Sequence, residues 1–203
     1  MKLKEHWENI YDKKTQKEFS WYQEFPETSI FLLKKYCPEK KCAVIDIGGG
    51  DTYAAKFLWE TGFRDITVLD ISEKAIQRAK ENFGNNASEI KWFVSDVLEF
   101  NPERKFKLWH DRAAFHFLTQ GGQAEHYAKI AADNIESGGH LIISTFSENG
   151  PRKCSGIEIK QYNEHSLEKV FSEYFTKLEC LFENHKTPFN TEQNFIFCVF
   201  ERK

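Results

Sequence analysis

No run of 18 apolar residues occurs anywhere in the 203-residue sequence, which excludes a membrane-spanning helix. A Cys-x-x-Cys pair is also missing. The five cysteines, at 37, 42, 154, 180 and 198, are odd in number and scattered, which suits reduced thiols better than a disulfide frame or a zinc cluster. Basic charge is not in surplus. Twenty-eight Lys and Arg against 31 Asp and Glu leave a net charge of -3 and a sequence pI near 6.2, a poor footprint for nucleic acid or an acidic membrane. The start, Met1-Lys2-Leu3-Lys4-Glu5-His6-Trp7-Glu8, has no apolar signal core, so secretion and import are not expected and the cytoplasm is. The seven histidines show no ligand spacing, so no metal site is expected. Repeats, low-complexity stretches and linkers are absent too. With 40% hydrophobic and 29% charged residues the chain is globular, and its length suits one domain, residues 1–203. What it has in plenty is aromatic: 19 Phe and five Trp, most of which must fill a core.

Short β-branched or apolar runs alternate with helix-period segments. The runs are Cys42–Ile47, Ile66–Leu69, Ile90–Val94, Phe106–Trp109, His140–Thr145 and Phe195–Phe200. This rhythm predicts an α/β sheet. Helical stripes, such as Ala54, Phe57, Leu58 and Ala75, Ile76, Ala79, Phe83, end on Gly62 and Gly84, as helices often do. Residues 1–40 differ in character, with aromatics crowded at Trp7, Tyr11, Phe19, Trp21, Tyr22 and Phe25, and predict a helical cover over a core formed by residues 41–203. Residues 146–156 read as a long loop, and residues 185–189 as a loop before the last strand.

The sharpest chemical signal is Val44-Ile45-Asp46-Ile47-Gly48-Gly49-Gly50-Asp51-Thr52, a buried strand running through three glycines into a helix. A ligand approaches backbone at such a turn, and both dinucleotides and S-adenosylmethionine are bound over turns of this kind. Two more acids stand at the ends of the next two strands. Asp70 follows Val68-Leu69, where a carboxylate accepts from both hydroxyls of an adenosine ribose. Asp96, in Val94-Ser95-Asp96-Val97, can accept from an adenine amino group. The nicotinamide alternative lacks Gly-x-Gly-x-x-Gly, because position 53 is Tyr53.

In these residues the chain resembles the class I S-adenosylmethionine-dependent methyltransferases, from about Trp7 to Phe200. The resemblance implies a Rossmann-like mixed seven-stranded sheet, mostly parallel with an antiparallel last strand, and helices on both faces. It implies S-adenosyl-L-methionine as cofactor and S-adenosyl-L-homocysteine as product. Carried over position by position, the methionine part falls on Asp46, Gly48, Gly49, Gly50, Asp51 and Thr52, the ribose on Asp70, Ile71 and Ser72, and adenine on Asp96 and Val97. The family often shows Gly-x-Gly-x-Gly; here Thr52 stands at the third glycine position.

The fourth strand runs into Trp109-His110-Asp111-Arg112-Ala113-Ala114-Phe115-His116, a cluster of titratable groups where the family sets donor against acceptor. By the resemblance, His110 and Asp111 lie by the cofactor, and Arg112 and His116 face the acceptor, Arg112 positioning it and His116 serving as base. The structural alternative is an Asp111–Arg112 ion pair with His116 packed beneath the cover. Trp21 and Tyr22 are candidate lid residues over the cationic sulfonium, whereas Trp7 and Tyr11, four apart, suit helix packing. No Asn-Pro-Pro-Tyr-like motif follows the fourth strand. The expected acceptor is a small-molecule nucleophile. The alternatives are a protein lysine, as for the elongation-factor lysine methyltransferases, and a non-catalytic cofactor-binding or partner subunit.

Overall fold

A computed structural model describes residues 3–51 and 53–203. Two central strands, β1 (Val44–Ile47) and β2 (Ile66–Asp70), are buried at every position, which is why they read as apolar runs interrupted only by Asp46, Thr67 and Asp70. They belong to a seven-stranded sheet with β3 (Lys91–Val94), β4 (Phe106–Arg112), β5 (Ile135–Phe146), β8 (Phe175–Lys186) and β9 (Glu192–Arg202), in the order β3-β2-β1-β4-β5-β9-β8. The first five strands run parallel, and β9 lies antiparallel between β5 and β8. The strand order reverses between β1 and β4, so the connections leaving their carboxyl ends diverge and open a crevice there.

Helices cover both faces. On one, α5 (Gln123–Asn134) and α6 (Glu164–Phe171) bury Tyr127, Ala131, Leu167 and Phe171 against Trp109, Ile143 and Phe200. On the other, α2 (Glu27–Tyr36), α3 (Ala54–Glu60) and α4 (Glu73–Phe83) bury Ile30, Leu33, Leu58 and Ile76 against Val44, Val68 and Ile142. Each fully buried Phe or Leu contributes about 1.5–3 kcal/mol, so Phe106, Phe115, Phe171, Phe197 and Phe200 account for much of the core and for the aromatic excess. The expected glycine stops are in place: Gly62 and Gly84 follow α3 and α4 with φ of 103° and 58°. α1 (Leu3–Lys13) lies against α4 across the sheet edge, completing the N-terminal cover.

Three expectations change. Residues 146–156 do not form an open loop: β6 (Lys153–Cys154) and β7 (Ile157–Glu158) make a small hairpin, turned by Ser155 and Gly156, both at positive φ. β8 extends to Lys186, so His185 lies in a strand. The cysteines are paired rather than all reduced. Cys180 and Cys198 are register partners across β8 and β9, Cys37 and Cys42 bracket the turn from α2 to β1, and both pairs are disulfide-bonded; Cys154 alone is free, and buried. Spacing in sequence carries no sign of the cross-strand pair, because strand register alone brings positions 180 and 198 together.

Candidate active site

The glycine turn is shaped by three different neighbours. A Cβ on Gly48, which has φ of 65°, would lie 2.9 Å from the Ala114 Cβ; on Gly49, 2.4 Å from the Asp46 carboxylate; on Gly50, 2.6 Å from the Ala75 Cβ and 2.8 Å from Asp70 Oδ2. Any side chain here would push the turn off β1, β2 or the start of α4. The Gly48 amide donates to the Leu69 carbonyl at 2.7 Å, and the Gly50 amide donates to Asp70 Oδ2 at 3.1 Å. Asp70 Oδ1 accepts from the Ser72 amide at 2.9 Å, while Ser72 caps α4 by accepting from the Ala75 amide. Burial pushes the Asp70 carboxyl up to about 6; the two amides oppose the rise, and the charges of Asp46 and Asp51 add to it.

Under the turn, His110 Nδ1 meets Asp46 Oδ1 at 2.7 Å and His110 Nε2 meets the Ser29 hydroxyl at 3.0 Å. The tautomer that satisfies both contacts has Nδ1–H donating to the carboxylate and Nε2 accepting from Ser29. This chain ties α2 of the cover to β4 and β1. Asp51 accepts from Gln16 at 2.8 Å and faces Arg78 at 3.5 Å; burial nonetheless pushes its carboxyl up to about 6.

Above the carboxyl ends of the strands lies a mainly apolar cavity. At the β2–β3 end its walls are Asp70, Ile71, Asp96 and Val97; at the β4–β5–β9 end they are Arg112, Phe146, Phe195 and Cys154 of the hairpin. Trp7 and Tyr11 of α1 and Trp21 complete them. A second, smaller space shares Trp21, Ile47, Gly48 and Arg112 with the first and adds Tyr22, Asp46, Asp51, Tyr53 and His110. α1 is held over the cavity by polar contacts: the Glu8 carboxylate accepts from the Ser72 hydroxyl at 3.1 Å and from the Glu73 amide at 2.7 Å, capping α4 from another helix, and Arg78 donates to the Tyr11 and Lys14 carbonyls.

These residues fit S-adenosylmethionine. Asp70 is a buried carboxylate at the cavity wall whose charge is under-compensated, the environment in which hydroxyl donors from a ribose are most stabilising. Ile71 and Val97 offer flat apolar surface beside Asp96, and Gly48 leaves the backbone bare where a chain passes from β2 toward β4.

Of the residues expected at the site, Gly48, Trp21, Tyr22, Asp46, Asp51, Asp70, Ile71, Asp96, Val97, His110 and Arg112 line one of the two spaces. Thr52 lies outside the described residues. Gly49, Gly50 and Ser72 stand behind the wall, the first two making room for Asp46 and Asp70. Asp111 is not beside the cofactor space, because strand alternation turns it to the opposite face. There it accepts from the Tyr127 hydroxyl at 2.8 Å and the Ala114 and Phe115 amides, fixing the turn after β4, and it forms no ion pair with Arg112. His116 is fully buried and off both walls, its ring against Phe117 and Phe146. Burial pushes its imidazole down to about 3, and Nε2 has no partner among the described residues. A base at the cavity is therefore not what His116 supplies. Phe117, Phe146 and Phe195 are wall residues the sequence did not single out; Cys154, in the segment after the fifth strand, is wall too, and so are Trp7 and Tyr11, whose spacing suits packing. A weak signal existed for Phe117, which follows the fourth strand; none existed for Phe195, which arrives from the last strand.

A methyltransferase domain family model matches residues 44–139, the span from β1 into β5. Among curated proteins, the eEF1A lysine and N-terminal methyltransferase homolog of Drosophila melanogaster is 26% identical over 153 residues, 71% of this chain and 22% of that protein. Malonyl-[acyl-carrier protein] O-methyltransferase 1 of Ilyobacter polytropus is 28% identical over 110 residues, 53% of this chain and 39% of that protein. The chain thus spans about a fifth of the Drosophila relative's length. Among solved structures, N-methyltransferase NodS from Bradyrhizobium japonicum, in complex with S-adenosylhomocysteine, shares the fold with a TM-score of 0.74 at 17% identity, over 96% of this chain and 97% of that one. With the glycine turn, the strand-end acids and the sheet order all in place, residues 44–139 match a methyltransferase domain and the chain as a whole has the fold of solved methyltransferases.

Proposed function

We propose that this protein transfers a methyl group from S-adenosylmethionine to a small-molecule nucleophile. When bound, the cofactor supplies an electrophilic methyl on a sulfonium, which an acceptor displaces in line. Asp70 and Asp96 hold the adenosine part, and Gly48 gives passage to the remainder. Trp7, Trp21, Phe146 and Phe195 exclude water from the far end. Arg112 positions the acceptor. No side chain of the far wall is assigned a proton: Cys154 is pushed up to about 12 by burial, and His116 does not reach the space.

The observation that carries this reading is one continuous cavity with acids of adenosine-binding type at one end and an aromatic wall, roofed by α1, at the other. Calorimetry should detect S-adenosylhomocysteine and not NADH. Incubation with donor labelled in the methyl carbon and a cell extract should then label the low-molecular-weight fraction. A second reading, methylation of a protein lysine, is favoured by similarity to the eEF1A lysine and N-terminal methyltransferase homolog of Drosophila; label appearing in protein instead would establish it. Tight donor binding with no label transferred to either fraction would point to a cofactor-binding subunit.

A further inference from the structure

Arg112 ends β4 and faces the far side of the cavity. Of the charged residues in that wall, Asp70 and Asp96 follow β2 and β3, whereas Arg112 stands on the other side of β1. Two strand spacings separate β2 from β4, so Asp70 lies about 10 Å across the sheet from Arg112, too far to compensate it. Nη1 donates to the Trp21 carbonyl at 3.1 Å, and the buried Nη2 has no partner among the described residues. The charges of Glu183 and Asp46 favour the cation from outside this wall, and each acid also accepts a hydrogen bond, Asp46 from His110 and Glu183 from Gln23 at 2.8 Å. The guanidinium sits over the Phe195 ring, 5.5 Å from its centroid, with Phe146 and Trp21 also in the wall.

A buried donor left unused on a cation in an aromatic wall is costly unless a ligand accepts from it. We infer that the acceptor is a planar organic anion of the aromatic carboxylate class, its charge taken by Arg112 and its ring held among Phe195, Phe146 and Trp21. This inference rests on the reading of the cavity as a joint donor and acceptor site. It runs against a lysine acceptor, since an ammonium entering here meets a like charge at close range.

Benzoate, benzamide and benzylamine test it as probes of one shape and three charges, by calorimetry and ligand-observed NMR with and without saturating S-adenosylhomocysteine. Benzoate should bind at least about tenfold more tightly than benzamide, the value of one charge-assisted contact, and benzylamine most weakly. Arg112→Met should bring benzoate to the level of benzamide, and Arg112→Lys should restore part of the preference. Equal binding of benzoate and benzamide to the wild-type protein overturns the inference, whether or not the variants fold. So does an Arg112→Met protein that loses S-adenosylhomocysteine while keeping 5′-methylthioadenosine, because the guanidinium then serves the donor's own carboxylate. Should S-adenosylhomocysteine fail to bind the wild type while the benzoate preference stands and depends on Arg112, the methyl-transfer reading falls and the anion site remains.

Discussion

Donor affinity should rise with pH through the titration of Asp70. In the unliganded protein its carboxyl is pushed up to about 6 by burial, against the Ser72 and Gly50 amides and with the Asp46 and Asp51 charges adding to the rise. Ribose hydroxyls donate to a carboxylate. A protonated carboxyl must place its own hydrogen where an amide already points, or toward the ligand, so only the ionised form is competent to bind. That form makes up about one tenth of molecules at pH 5 and nine tenths at pH 7, so the apparent Kd for S-adenosylhomocysteine should fall roughly tenfold between them, about 1.4 kcal/mol. The ligand's own carboxylate and ammonium titrate outside this window. Calorimetry at pH 5, 6 and 7, in buffers of different ionisation enthalpy, reads both the affinity and the proton released on binding. Release should approach one proton at pH 5 and vanish by pH 7. Asp70→Asn keeps the shape and removes the titration, so its affinity should be weaker at pH 7 and flat across the range. A flat wild-type affinity refutes the argument; a slope that survives in Asp70→Asn but not in Asp51→Asn transfers it to Asp51, whose carboxyl is also pushed up to about 6. The same raised value acts on folding with the opposite sign to an ordinary salt-bridged acid. Between the unfolded value near 4 and the folded value near 6 the native state holds protons that the unfolded chain has released, so this group's contribution to stability falls as pH rises through that window.

Other expectations are more local. Gly50→Ala should displace Asp70 or the start of α4, costing about 1–3 kcal/mol in denaturant melts and weakening donor binding, whereas Gly121→Ala, with nothing within 4 Å, should stay within about 0.5 kcal/mol; equal effects would show that the turn is not tightly packed. His116→Asn should keep the wild-type pH dependence of turnover, and a lost basic limb would return histidine to the chemistry. Because burial pushes the His116 imidazole down to about 3 from its ordinary value near 6.5, its contribution to stability is complete above pH 6.5 and lost as pH falls toward 3. His116→Met should therefore resist acid better than the wild type, as read by circular dichroism across pH 3–7. Glu8→Ala removes the carboxylate that caps α4 from α1, and should cost about 1 kcal/mol while speeding donor release in stopped flow; an unchanged release rate would mean that α1 does not gate the cavity.

The sequence by itself determined the parts whose physics is local. A buried strand running into Gly48-Gly49-Gly50, then acids at the ends of the next two strands, specifies backbone access and ribose-type acceptors within a few residues of each element, and strand alternation with glycine-stopped helices specifies the α/β class. The glycine turn and the strand-end acids that line the cavity were legible for that reason. The acceptor half was not. Asp111 and Arg112 are adjacent in sequence, yet β-strand geometry sends one to Tyr127 and the other to the cavity, and which face is which depends on how β4 pairs with β1 and β5. His116 has the residue type of a base, and only the packing of Phe117 and Phe146 around it shows that it is dry and turned away. Phe146, Cys154 and Phe195 come to one wall from β5, a hairpin and β9, and Trp7 reaches the same space from α1. Closing contacts over such separations is decided by sheet order and register, which sum weak preferences along the whole chain and leave no mark at any single position.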